Sequence, residues 1–237
     1  MRDARTAALA ALVLGLSAVA SPAPAAEAAG PTQAASLPPE TVTQLAGWVL
    51  SAGDNRDLPF LIIDKASTKV FVFAADGQLQ GAAPALLGLA RGDDSTPGVG
   101  DRELSAIRPK DRTTPAGRFL AAFGPAIGQA RVLWVDYATA ISLHPVVTTN
   151  PKERRVARLR SPTPKDNRIT YGCINVSAAF YRNVVSAAFA GGKGVVYILP
   201  EKKPLDEVFP TFAVQLQASR AQTGDPAMVR DLGGSLP

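Results

Sequence analysis

The sequence predicts a mainly β fold, with a short helix near its start and one helix after its only cysteine. Short apolar runs at 60–63, 70–73 and 195–199 are separated by turn-forming residues, which is typical of β-strands. Residues 40–50 instead repeat their apolar side chains at helical spacing. The chain has 237 residues, of which 46% are hydrophobic and 19% charged, enough to bury one core.

Residues 1–26 have the pattern of a secretory signal peptide. Arg2 and Arg5 precede the apolar run 7–20, and small residues with Ala-x-Ala sites follow. The run is shorter than the roughly 20 residues that a spanning helix needs, and an uncleaved anchor is the alternative. We therefore expect secretion across the inner membrane, to the periplasm or the cell wall. Residues 27–57 follow as an Ala- and Pro-rich linker and a short helix.

The first structured elements are the short helix and a hairpin. After Pro38-Pro39, one side of the helix carries Val42, Leu45, Trp48 and Val49. The runs 60–63 and 70–73, joined by the polar turn 64–68, predict a β-hairpin. Residues 79–90 continue the sheet more weakly because they contain Gly and Pro, and the polar residues 91–112 predict a long loop.

Three further strands are predicted over 119–123, 132–135 and 139–143. The last of them ends at His144-Pro145, since proline has no N–H for the ladder. Ser177 is a suitable N-cap for a helix over about 178–190, stopped by Gly191-Gly192. The run 195–199 closes a catalytic domain predicted over 58–203, and 204–237 forms a C-terminal extension with a short helix near 211–219.

Positive charge is concentrated in residues 151–170. This segment has seven cationic and two anionic side chains and so accounts for the whole net charge of +5. Such a cluster predicts an anionic partner, although a solvated loop explains it equally well. Export and the lack of aromatic residues within the cluster argue against nucleic acid, so acidic wall peptides or a membrane surface fit better. No obligate protein partner is inferred.

Cys173 is the only cysteine and His144 the only histidine. An unpaired cysteine in an exported chain is either intermolecular or reactive, and one thiol with one imidazole is the minimum set for thiolate catalysis. Two such groups are too few for a zinc site. The predicted helix after Cys173 would favour its thiolate, and Gly172 allows close backbone approach and an oxyanion hole. When each residue is considered alone, Cys173 could instead be a small buried thiol, and His144 a histidine of the core.

Three sequence elements in order resemble the L,D-transpeptidase (YkuD-like) catalytic domain. The chain has the Thr-Pro-x-Gly-x-Phe element at 114–119, then His144, then Thr-Tyr-Gly-Cys-Ile-Asn at 170–175. The resemblance covers about residues 58–200. Tyr171 stands where the family usually has a second histidine, and the 29 positions from His144 to the cysteine exceed the usual interval. The additional residues include the basic segment.

The resemblance implies an L,D-transpeptidase-like β-sandwich that acts on peptidoglycan stem peptides without metal or organic cofactor. Cys173 would be the nucleophile and His144 its base, with the carbonyl of Pro145 orienting the imidazole. Arg168 would attract stem carboxylates, and Asn175, Gly172 and Tyr171 would order the site or bind substrate. An L,D-carboxypeptidase, in which water resolves the thioester, and a non-catalytic wall-binding module are the alternatives.

Overall fold

A computed structural model of the chain describes residues 37–126 and 129–223. The predicted signal peptide, linker residues 27–36 and the end of the C-terminal extension lie outside these residues, so those predictions stay untested. The described residues all belong to one compact unit. Within the described part of the chain, no helix has the length and apolar composition needed to cross a bilayer.

In the described residues, ten strands and six α-helical segments follow one another. The strands are β1 (Phe60–Asp64), β2 (Lys69–Phe73), β3 (Leu79–Pro84), β4 (Leu87–Gly88), β5 (Gly117–Ala126), β6 (Gln129–Asp136), β7 (Ile141–Pro145), β8 (Arg168–Thr170), β9 (Ile174–Val176) and β10 (Lys193–Ile198). The helices are α1 (Glu40–Ser51), α2 (Arg155–Leu159), α3 (Ala178–Phe180), α4 (Ser186–Ala188), α5 (Leu205–Val208) and α6 (Pro210–Thr223). A π-helical turn, Tyr181–Val185, joins α3 to α4.

Eight strands form one mixed sheet in the order β3-β2-β1-β10-β5-β6-β7-β9, and β4 pairs with β8 in a small second sheet. β1 runs parallel to β10 and β7 parallel to β9, whereas the other neighbours in the large sheet are antiparallel. The segment that follows β3 meets β9, because Leu86 and Asn175 exchange backbone hydrogen bonds of 2.8 and 2.9 Å. The mainly β prediction is confirmed.

Each face of the sheet is covered by helices. On one face, α1 and α6 pack over the aromatic side chains of β1 and β10, with the rings of Trp48 and Phe212 5.9 Å apart. On the other face, Tyr181, Val185 and Phe189 pack into a core that collects residues from β2 at one end and β9 at the other. Val185 and Phe189 are fully buried, and each contributes about 1.5–3 kcal/mol by leaving water.

The local predictions agree with the structure at most elements. The α1 helix and the β1–β2 hairpin are confirmed, with Phe60 opposite Phe73. Ser177 caps α3 as expected, since its side chain accepts a hydrogen bond from the N–H of Phe180. The strand predicted over 139–143 begins only at Ile141, because residues 137–140 form the turn from β6. Residues 91–112 contain three short 3-10 turns and no strand.

Candidate active site

Four polar side chains come together where β7 and β9 run side by side. In the parallel register, Leu143 lies opposite Ile174 and His144 opposite Asn175. Because side chains alternate along a strand, Ser142 and His144 project from the same face as Cys173 and Asn175. Contacts of Ser142 Oγ with Cys173 Sγ at 3.7 Å and of Asn175 Nδ2 with His144 Nε2 at 3.0 Å agree with this. The only thiol and the only imidazole thus occupy diagonal positions on one sheet face.

The hydrogen bonds of His144 define which ring nitrogen is protonated. Nδ1 lies 2.8 Å from the carbonyl oxygen of Pro145, which can only accept, so Nδ1 carries the proton. Nε2 therefore has the lone pair and accepts from the amide N–H of Asn175. This is the tautomer that a general base requires, because the lone pair on Nε2 is the one that accepts a proton.

The Asn175 amide is itself oriented by Arg155, a residue of α2. The Arg155 Nη1 donates to Asn175 Oδ1 at 2.9 Å, and its Nε is paired with Glu153 at 2.5 Å. A guanidinium is donor-only, so it directs the NH₂ of Asn175 towards His144. Burial lowers the pKa of His144, and the nearby positive charge of Arg155 lowers it further, while the Pro145 carbonyl acts in the opposite direction. The imidazole is thus kept neutral.

Arg155 was predicted only as one member of a basic segment, without an individual role. Its link to Asn175 spans 20 positions of sequence. The motif elements gave no signal for it, because Arg155 belongs to the additional residues that separate His144 from Cys173.

The Cys173 sulfur is half-buried and faces oxygen atoms. It lies 3.6 Å from the carbonyl oxygen of Ala140 and 3.7 Å from the Ser142 hydroxyl. The helix predicted after Cys173 begins at Ala178, but β9 lies between it and the cysteine. The helix dipole therefore does not act on this thiol at close range, because its effect falls off within the first turn.

The Thr-Pro-x-Gly-x-Phe element supports the backbone next to the thiol. The Thr114 hydroxyl donates to the carbonyl oxygen of Gly172 at 2.7 Å and accepts from the N–H of Gly88 at 2.9 Å. Gly172 has a φ of 134°, a conformation that favours glycine. Its N–H already donates to the Thr170 hydroxyl at 3.2 Å, so this N–H is engaged and does not point freely at a substrate.

Arg168 does not lie with the other predicted site residues. Its guanidinium is buried, paired with Glu201 at 2.7 Å and bonded to the carbonyl oxygen of Lys65 at 2.7 Å. Next to it, the fully buried ammonium of Lys65 pairs with Asp93. These ion pairs join β8 to the loops around it, so the position of Arg168 favours a structural role over the capture of a substrate carboxylate.

Tyr171 is partly exposed at the rim, and its ring is stacked by Arg112 from the end of the long loop. The Arg112 Cζ lies 3.9 Å from the centre of the Tyr171 ring. This contact was not predicted, since the two residues are 59 positions apart and belong to different sequence elements. In the described part of the chain, no group of three or more His, Cys, Asp or Glu side chains is arranged to hold a metal ion.

No family model matches the chain, and no curated protein matches it. Among solved structures, it is similar to the helical cell shape determining protein Pgp2 from Campylobacter jejuni, with 15% identity, a TM-score of 0.41, and coverage of 68% of this chain and 57% of that one. It is also similar to an L,D-transpeptidase from Mycobacterium smegmatis, with 15% identity, a TM-score of 0.34, and coverage of 59% and 58%. The chain thus spans less than three fifths of the length of these structures.

Proposed function

We propose that this protein is an exported cysteine acyltransferase of the L,D-transpeptidase kind, acting on peptidoglycan stem peptides. The sequence elements at 114–119 and 170–175, with His144 between them, support the family and hence the substrate class. The structure supports the chemistry, because Thr114, Gly172 and Cys173 belong to one hydrogen-bonded unit beside β7.

The observation that carries the proposal is the orientation of the single imidazole. The Pro145 carbonyl holds Nδ1–H at 2.8 Å and leaves Nε2 as the basic nitrogen, on the sheet face that carries the thiol. A backbone carbonyl thereby takes the orienting role of a third catalytic group. A histidine with a merely structural role would need neither this tautomer nor a half-exposed thiol on the same face.

In the first half-reaction, Nε2 of His144 takes the Cys173 proton as the sulfur attacks the carbonyl that joins the third stem residue to its terminal D-alanine. The tetrahedral intermediate collapses, the C–N bond breaks, and the imidazolium gives its proton to the leaving amine. D-Alanine departs and a thioester to Cys173 remains. The neutral imidazole that burial and Arg155 favour is ready to accept the first proton.

In the second half-reaction, an amine of another stem attacks the thioester and loses its proton to His144. The bond to sulfur breaks and the thiol is restored, which leaves a cross-link between two third-position residues. Water in place of the amine would give a trimmed stem, the carboxypeptidase outcome. The two outcomes share one acyl-enzyme and differ only in the acceptor.

The test is mass spectrometry of the enzyme and its products after incubation with a purified disaccharide-tetrapeptide. We expect a mass increase on Cys173 equal to the stem less D-alanine, followed by cross-linked or trimmed product. Cys173→Ala should abolish both, and His144→Ala should reduce turnover by orders of magnitude. Ser142→Ala removes only the hydroxyl that contacts the sulfur, so its loss of turnover should be smaller than that of His144→Ala.

Normal turnover by Cys173→Ala or His144→Ala would overturn the proposal. A wild-type protein that sediments with cell walls yet never forms the adduct would instead identify a non-catalytic wall-binding module.

A further inference from the structure

We propose that Arg112, stacked on Tyr171, is a preformed carboxylate-binding fork at the rim of the thiol site, so that it selects substrates with a free carboxylate. This inference rests on the proposed function and names the chemical group that the site recognises. Three observations support the inference: Arg112 is held by two contacts, no carboxylate in the described residues neutralises its charge, and its chain segment runs against the residues that precede Cys173.

Two contacts hold the guanidinium in place. The Cζ of Arg112 lies 3.9 Å from the centre of the Tyr171 ring, so one face of the guanidinium contacts this ring. Its Nε–H donates a hydrogen bond of 3.0 Å to the carbonyl oxygen of Ile107. Cation–π contact and a backbone hydrogen bond together remove most of the side chain's rotational freedom. An arginine that is ordered before binding loses little further entropy when it pairs with a carboxylate.

The two terminal nitrogens remain available. Within residues 37–126 and 129–223, no acceptor is hydrogen-bonded to Nη1 or Nη2 of Arg112, and no carboxylate pairs with it. The adjacent carboxylate of Asp111 is already taken by Arg108 at 2.9 Å, Arg102 at 3.6 Å and the Thr96 hydroxyl at 3.2 Å. Because the side chain is partly exposed, this fork can reach a ligand from solvent.

Arg112 belongs to a chain segment that runs against the residues preceding Cys173. Thr114 is bonded to Gly172, and a side chain added at Gly172 would lie 2.8 Å from the Thr113 carbonyl oxygen. Residues 112–114 and 171–172 therefore run against each other, one position before Cys173. A peptide whose carbonyl reaches the sulfur would bring its nearby carboxylates to this rim.

The contrast with Arg168 explains why one arginine suits this role and the other does not. Arg168 has a buried partner in Glu201, whereas Arg112 has only a ring and a backbone oxygen. The planar guanidinium matches a carboxylate through two parallel N–H···O bonds, a geometry that a lysine ammonium cannot reproduce.

The experiment compares the tetrapeptide donor with two analogues, one with its terminal carboxylate replaced by the amide and one with its side-chain carboxylates amidated. The wild-type KM should rise roughly ten- to a hundredfold for the analogue that lacks the recognised carboxylate, with kcat little changed. In Arg112→Gln the ratio of the two KM values should fall to about one, and Arg112→Lys should recover part of the discrimination. Arg91→Gln, which removes one positive charge from the same loop, is the matched control and should keep full discrimination.

Equal KM ratios in wild type and Arg112→Gln, with unchanged thermal stability, would overturn the inference and assign Arg112 a purely supporting contact with Tyr171. Equal loss of discrimination in Arg91→Gln would also overturn the inference, because the effect would then come from the positive charge of the loop and not from Arg112 itself. The proposed function can fail separately, because peptide binding to Cys173→Ala is measured without turnover. Arg112-dependent binding of the carboxylate peptide would then persist even if no thioester ever forms.

Discussion

Replacing Gly172 by alanine should both destabilise the protein and impair the thiol site. A Cβ at this position would lie 2.6 Å from Ile141 Cδ1 and 2.8 Å from the carbonyl oxygen of Thr113. The first contact is with the end of a flexible side chain, but the second is with backbone that Thr114 holds in place. The φ of 134° adds strain for any residue with a side chain.

The magnitude follows from these two effects. Holding alanine in a sparsely populated backbone region costs about 1–3 kcal/mol, and forcing extra volume into a packed site costs about 1–3 kcal/mol. The free energy of unfolding should therefore decrease by about 2–6 kcal/mol. For a domain of this size, the melting temperature should fall by roughly 5–20 °C.

Chemical and thermal unfolding, with acylation of Cys173 followed by mass spectrometry, provide the assay. Gly191→Ala is the matched control, since no atom lies within 4 Å of its Cβ position. Adding Ile141→Val to Gly172→Ala removes the nearest contact, so the loss in the double variant should be smaller than the sum of the single losses. Equal stability of Gly172→Ala and Gly191→Ala would refute the reasoning.

Two further predictions concern charge. In Arg155→Gln, the titration midpoint of His144 should move to higher pH, because a positive charge that lowers its pKa is lost. The midpoint can be followed by NMR, since His144 gives the only imidazole signal of an untagged protein. Arg160→Gln should leave the midpoint unchanged, and an unmoved midpoint in Arg155→Gln would contradict the effect of that charge. The second prediction concerns Asp93. Burial alone would raise the pKa of Asp93, but hydrogen bonds from a buried lysine and three backbone N–H groups lower this pKa to about 2. The free energy of unfolding should therefore decrease as the pH falls from about 4 towards 2, where Asp93 loses its charge in the folded state. The control Asp94→Asn, which keeps Asp93, should show the same decrease. A flat pH dependence would contradict the role of Asp93.

Local patterns were sufficient where neighbouring residues decide the structure. The apolar spacing of α1, the β1–β2 hairpin and the Ser177 cap each depend on residues within a few positions, and all three agree with the structure. The Pro145 carbonyl was also assigned correctly as the partner of the imidazole, because it directly follows His144.

The remaining features depend on distant partners that composition and spacing do not reveal. Arg168 was expected to face substrate because its charge is visible in the sequence, whereas the partner Glu201, 33 positions later, is not. In the same way, the stacking of Arg112 on Tyr171 brings together two elements whose proximity depends on the whole sheet. An arginine in a basic segment is thus ambiguous until its neighbours in space are known.

The meeting of Leu86 with Asn175 means that β9 has hydrogen-bonded neighbours on both sides, although it is the last strand of the large sheet. A doubly bonded strand resists slippage, and slippage by a single residue would turn the Cys173 sulfur to the opposite face from His144. The bridge between Leu86 and Asn175 therefore helps to keep the nucleophile in register, and substitutions around Leu86 should misalign the thiol and the imidazole.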